Sequence, residues 1–356
     1  HKESFRSASL AAAAGGITSL ITFPNTMPVI DNPELLEFFI NRSKEASKVR
    51  ILPTAALTKH CNGEEVCELG FLQDRGAVAF TNGLRSIKNS KILLRAFSYA
   101  ASLDMPYIGH CQDYFFSHET SATSGFFATK MGLPSTPMES EKISLDKETT
   151  LAEMSGIHYH ASQITTELGF STIKALKSKG KKITAGTSIH HLILDENDIK
   201  NYRTFFKLNP PLRSKSDKKA ILETIFDDTI DTISSFHSPQ DEESKRLPYE
   251  LAASGAIGLQ TLLPAALKLV REGYLDLPNL FKKISLNPSK LVNSKCGELA
   301  EGCPADLVIF NPSIPFVLDR FSLLSKAKNT PFDGYKLCGK VLRTFVNGIE
   351  VYNCGH

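Results

Sequence analysis

The stretch Asp231-Thr-Ile-Ser-Ser-Phe-His-Ser-Pro-Gln240 reads as a short apolar strand running into a loop, with Phe236 and His237 where one becomes the other. In a barrel of alternating strands and helices, that point faces the mouth where catalytic groups gather. A metal-dependent hydrolase needs a carboxylate there to take a proton from water. A phenylalanine neither binds a metal nor accepts a proton, so the remaining strand ends decide whether the chain carries hydrolytic chemistry at all.

The elements that must position these residues alternate along the chain. An Ala-rich helix over residues 1–14 stops at Gly15 and Gly16. A β-branched strand over 17–25 ends in the turn Asn25-Thr26-Met27-Pro28. Further strands are expected over 49–57, 76–82, 105–110, 157–163, 182–190 and from 231, with helices over 32–47, 63–72, 90–103, 144–154, 166–178, 215–226 and 257–272. Residues 112–140 read as a long polar excursion, and 192–213 as a loop-rich insertion.

This alternation predicts an α/β fold, a (β/α)8 TIM-type barrel over residues 1–294 whose first strand is missing from the sequence. An open doubly wound sheet is the alternative, but no Gly-rich phosphate fingerprint accompanies the first helix. After residue 294 the texture changes to short, glycine-punctuated strands, and 295–356 is expected to be a small C-terminal β appendage, part of a β-sandwich.

The composition narrows the function classes. Lys and Arg number 41 against 38 Asp and Glu, a net charge of +3, and the basic residues are scattered rather than blocked. Neither nucleic acid nor an anionic membrane is implied as a partner. Seven cysteines form no CxxC pair and suit free thiols in a reducing cytosol. Without a signal-peptide pattern or an apolar run of about 20 residues, a cytoplasmic protein is expected.

Several segments together resemble the dihydroorotases of the amidohydrolase superfamily, of the type that associates with aspartate transcarbamoylase: AAAAGGITSLITFPNTMPVID, GAVAFTNG, PYIGHCQD, MGLPSTPMESE, HYHASQITT, IHHLIL, LNPPLR, SSFHSPQ, GAIGLQTLLPAAL, GELAEGCPADLVIFNP and NTPFDGYKLCGKVLRTFVNG. They follow the family's order along nearly the whole chain. The resemblance implies a metal-binding (β/α)8 barrel that hydrolyses the cyclic imide of dihydroorotate with zinc held at the strand ends. The family's His-x-His-x-Arg motif would lie before residue 1.

Position by position, the family's ligands are mostly replaced. Asn82 stands where the family has an aspartate or carboxylated lysine, and an amide is a poor, neutral ligand. His110 is retained. Gln163 stands at a histidine position, and Phe236 and Gln240 at the catalytic aspartate and a substrate-contacting histidine. His158 and His160 lie at odd offsets from Gln163, which predicts a pair facing solvent or helix. Asn25, Asn209 and His237 resemble substrate-contacting residues, and His190 and His191 are kept, although each also suits a turn or a local hydrogen bond.

Two functions follow from the resemblance. The first is a non-catalytic dihydroorotase-like protein of pyrimidine biosynthesis, with no cofactor and aspartate transcarbamoylase as partner, the 112–140 excursion offering an interface. The alternative is an active zinc-dependent dihydroorotase or related cyclic amidohydrolase, for which Asp113, Asp231 and Asp241 are the nearest acids by sequence, Asp231 being discounted because it sits early in its strand, at the wrong end of a barrel. Whether the chain is an enzyme stays open at this point. A homo-oligomer is expected, and Phe236 is expected to point into the space a metal would occupy.

Overall fold

Helices begin where a side chain can cap them. Ser4 accepts the Ser7 amide ahead of Phe5–Ala14, and Asn32 accepts the Leu35 amide ahead of Pro33–Ala46, with proline in the first turn. Asn89 caps Ser90–Ser102, Thr166 caps Glu167–Ser178 and Ser214 caps Lys215–Phe226. Each cap satisfies an amide that the helix itself leaves unpaired. The structure, a computed structural model, describes residues 1–355; His356, the last residue of the expected C-terminal region, lies outside them.

Between the helices run β1 (Ser19–Thr22), β2 (Arg50–Pro53), β3 (Ala55–Ala56), β4 (Phe80–Thr81) and β5 (Tyr107–Gly109). Then come β6 (Ala122–Thr123), β7 (Ser135–Thr136), β8 (Tyr159–Ala161), β9 (Ile183–Ser188) and β10 (Thr232–Ser234). β1 pairs with β2 in parallel, and past Thr54 the ladder continues in the order β3-β4-β5-β8-β9-β10, parallel throughout.

Both faces of this sheet are covered, as parallel sheets require. On one face Tyr107 and Tyr159 pack on Phe97 of the helix Ser90–Ser102, at ring centroid distances of 4.8 and 6.3 Å. On the other, Ala79 and Ile108 are buried against Ile21, Phe23 and Leu52. Alternate residues of one strand therefore serve two packed layers, which is why these strands read as short apolar runs.

Several expectations are corrected. The 112–140 excursion is built, with helices Tyr114–Ser117 and Phe126–Met131 and the parallel pair β6–β7, tied down where Thr123 Oγ1 donates to the Leu212 carbonyl at 3.0 Å. Polar composition hid it because its strands are two residues long. His190 and His191 leave the strand and lie in the short helix Ile189–Ile193, capped by Ser188. The helix expected from 257 starts at Leu262, after a turn in which the Thr261 amide donates to Gly258.

The C-terminal strands β11 (Leu307–Val317), β12 (Lys336–Val346) and β13 (Ile349–Asn353) form an antiparallel sheet in that order. It does not stand apart. Leu337 and Val341 belong to the main core, and Thr344 Oγ1 donates to the Ala13 carbonyl at 2.7 Å.

Candidate active site

The C-terminal ends of the parallel strands carry the residues singled out above. Asn82 follows β4 and is 2% exposed. Its Oδ1 accepts the Thr58 amide at 3.2 Å and its Nδ2 donates to Thr58 Oγ1 at 2.9 Å, so both ends of the amide are committed to the neighbouring loop. Gly83 next to it has φ +64°, and a Cβ there would lie 3.4 Å from Asn25 Cβ. That close approach brings the exposed Asn25 turn against the β4 loop.

His110, after β5, is 4% exposed, and its Nδ1 has no hydrogen-bond partner. Burial, with the Arg213 charge adding to it, lowers its pKa to about 4, so the ring is neutral. Gln163, after β8, is 2% exposed with Oε1 unpartnered. Phe236, after β10, has φ +39°, and its ring meets Phe23 edge-on at 6.5 Å between centroids. Phe23 in turn packs with the Ala79 and Ile108 cluster, so Phe236 extends that apolar layer towards the strand ends.

His160 is buried at 4% exposure and His158 is half-buried, so solvent reaches one of the pair and not the other. Tyr159 between them points at the helices, where its hydroxyl donates to Glu148 Oε2 at 2.8 Å. The two histidines therefore share the opposite face. His158 Nε2 lies 3.2 Å from Thr184 Oγ1, and His160 Nδ1 lies 2.9 Å from the same oxygen. His160 Nε2 lies 3.4 Å from Thr232 Oγ1. Gly186 admits this arrangement, since a Cβ there would lie 2.4 Å from Thr232 Oγ1 and 3.2 Å from His160 Nε2. β8 ends at Ala161, so Gln163 lies beyond the strand.

The remaining candidates have structural engagements. His191 joins Ser188 Oγ at 3.2 Å to the Pro210 carbonyl at 3.1 Å, steadying the loop that exposes Asn209. His190 stacks on Phe332, with centroids 5.5 Å apart and planes at 14°. Asp113 and Asp241 cap short helices, and Asp231 Oδ2 binds Lys177 Nζ at 2.6 Å and the Ala185 amide at 2.7 Å. None of these acids is turned to the strand ends as a free ligand.

A buried network below the strand ends escaped the sequence. Glu141, fully buried, accepts the amides of Thr165 and Thr166 and both their hydroxyls, and faces Arg213. It fixes the segment that follows Gln163. The residues lie in three separate segments, and no local spacing marks them as partners.

A zinc ion does not fit this set. Catalytic zinc is held by about three imidazole, thiolate or carboxylate ligands, and here one neutral histidine stands with two amides and a phenyl ring. Among the described residues no group of three or more His, Cys, Asp or Glu is placed to hold a metal. A cavity of about 430 Å³ lies elsewhere, walled by Ile21, Leu52, Leu262, Phe281, Val308 and Phe310, and none of the candidate residues lines it.

Comparison with known proteins gives the chain its relatives. The Dihydro-orotase-like family matches residues 1–168. A dihydroorotase of Syntrophus aciditrophicus is 38% identical over 352 residues, 99% of this chain and 83% of the relative. One of Acetivibrio thermocellus is 36% identical over 349 residues, 98% of this chain and 82% of the relative. Among solved structures, an L-hydantoinase (dihydropyrimidinase) from Arthrobacter aurescens superposes with a TM-score of 0.90 at 23% identity, covering 99% of this chain and 81% of its own. A dihydropyrimidinase from Brevibacillus agri gives 0.85 at 17% identity, covering 98% and 79%. These structures share the α/β fold with its parallel sheet.

Proposed function

We propose, from the premise that the chain belongs to the dihydroorotase family, that it is a non-catalytic member serving pyrimidine biosynthesis as a structural partner of aspartate transcarbamoylase. The observation that carries this reading is the donor set at the strand ends. Asn82, Gln163 and Phe236 hold neither a metal nor a proton acceptor, and hydrolysis of a cyclic imide needs both a polarised carbonyl and activated water. Exposed aromatic side chains in the 112–140 excursion, Phe115 at 76% and Phe126 at 84%, support a surface that meets another protein. On the same premise, β1 to β10, with β6 and β7 as an excursion, are read as part of a (β/α)8 barrel spanning 1–294, and 295–356 as part of a β-sandwich.

The names of the relatives favour a second reading, that the chain is a zinc-dependent dihydroorotase converting dihydroorotate to carbamoyl aspartate, with a metal held by residues other than these. Two measurements separate the readings. Metal analysis with a dihydroorotate turnover assay is expected to give neither stoichiometric zinc nor product; finding both establishes the second. Sizing with aspartate transcarbamoylase is expected to give a joint complex, and separate elution removes the structural role.

A further inference from the structure

Two polar side chains of the loop after β10, His237 and Gln240, are engaged by Glu3 and Lys2, in the segment ahead of the helix Phe5–Ala14. His237, with 11% of its side chain exposed, receives the Gly258 amide on Nδ1 at 3.2 Å, and its Nε2 lies 3.3 Å from Glu3 Oε2. A ring nitrogen that accepts an N–H carries no proton, so the proton of the neutral ring is on Nε2 and is donated to Glu3. The Glu3 carboxylate is held in turn by the hydroxyls of Ser325 and Ser7 and by the Lys326 amide at 3.1 Å.

Gln240 is occupied in the same way. Its Nε2 donates to the Ser254 carbonyl at 2.9 Å, its amide donates to Asn329 Oδ1 at 3.1 Å, and its Oε1 accepts Lys2 Nζ at 2.5 Å. The cavity bordered by His237, Gly258 and Ser325 measures about 10 Å³, room for about one water. No ligand group fits between Glu3 and the histidine.

We infer that Glu3 is a positioning residue that locks His237 as the Nε2-protonated tautomer and leaves neither ring nitrogen free to meet a ligand at the barrel mouth. Lys2 does the same for Gln240, so the segment ahead of the helix Phe5–Ala14 acts as a built-in occupant of this corner. The inference goes beyond the proposed function, because the clamp stands whether or not the protein hydrolyses anything.

Nitrogen-15 spectroscopy of the imidazoles in the purified protein reads the tautomer directly, with H237Q assigning the signal. The expected result is an unprotonated Nδ1 and a protonated Nε2. In E3A the tautomers mix, and acylation of His237 by diethyl pyrocarbonate quickens about tenfold, the factor equivalent to one lost hydrogen bond to a charged group. E3Q, which keeps an acceptor, restores the tautomer, and S325A gives an intermediate rate if E3A does not fold. A protonated Nδ1 in the wild-type protein, or acylation of S325A and E3A at the wild-type rate, overturns the inference. Neither readout depends on zinc or turnover, so the clamp can fail without touching the proposed function.

Discussion

The Arg213 guanidinium lies 3.6 Å from the Glu141 carboxylate, with 2% and 0% of the two side chains exposed. Arg213 also donates from Nε to Thr165 Oγ1 at 2.9 Å and from Nη1 to Thr123 Oγ1 at 3.0 Å. The pair thus joins the excursion, the segment after Gln163 and the loop of Asn209.

Removing one partner leaves the other charged, buried and unpaired. R213A or E141A is expected to lose about 3–5 kcal/mol of stability. A double replacement by well-packed apolar residues, R213M with E141L, is expected to cost less than either single change. Urea unfolding of the three variants checks this; R213A within about 1 kcal/mol of wild type would show that the pair holds nothing together.

Acid should unfold the protein through its buried histidines. Burial lowers His160 and His191 to about 3 and His110 and His190 to about 4. These folded-state values lie below the unfolded 6.5, so the stability they contribute is complete above pH 6.5 and falls as pH drops towards 3–4. At pH 5 one histidine held at 3 costs about 2 kcal/mol relative to pH 8. Urea midpoints at pH 8 and 5 test this, and H160Q should flatten the difference; identical midpoints for the wild-type protein would refute it.

Glu148 works in the opposite direction. Burial raises its pKa to about 7 from 4.5, against the hydrogen bond from Tyr159. The folded value lies above the unfolded one, so its favourable contribution is present below pH 4.5 and is lost as pH rises through 7. E148Q keeps an acceptor for the Tyr159 hydroxyl and is expected to be more stable than wild type by about 2–3 kcal/mol at pH 8, with no gain at pH 4. A gain of equal size at both pH values would show that ionisation is not the cause.

Phe236 combines a packed ring with a strained backbone. At φ +39° a side chain is disfavoured by roughly 1–2 kcal/mol, a cost glycine avoids. Both F236A and F236G lose the edge contact with Phe23, but F236G is expected to be the more stable of the two by about 1 kcal/mol. If chemical denaturation ranks F236A above F236G, the backbone is not under strain at this position.

Much of this was legible in the chain. Caps such as Asn32 before Pro33 and Thr166 before Glu167, and the short apolar run of β5, act within a few residues, so they mark the alternation of helix and strand without tertiary information. That Asn82, Gln163 and Phe236 are two amides and a phenyl ring, neither acids nor imidazoles, is likewise a matter of residue type. It determines by itself that none of these three side chains is a usual zinc donor.

What a side chain touches is decided elsewhere. His158 and His160 meet Thr184 only because β8 and β9 are neighbours in register, and Glu141 meets Arg213 across segments 72 residues apart in number yet 3.6 Å apart in space. The same holds for Glu3 and His237, which a separation of 234 residues conceals. Residue types fix what chemistry is available at each position. Only the closed tertiary packing assigns the partners, because burial makes each polar atom seek whatever donor or acceptor the fold brings within reach.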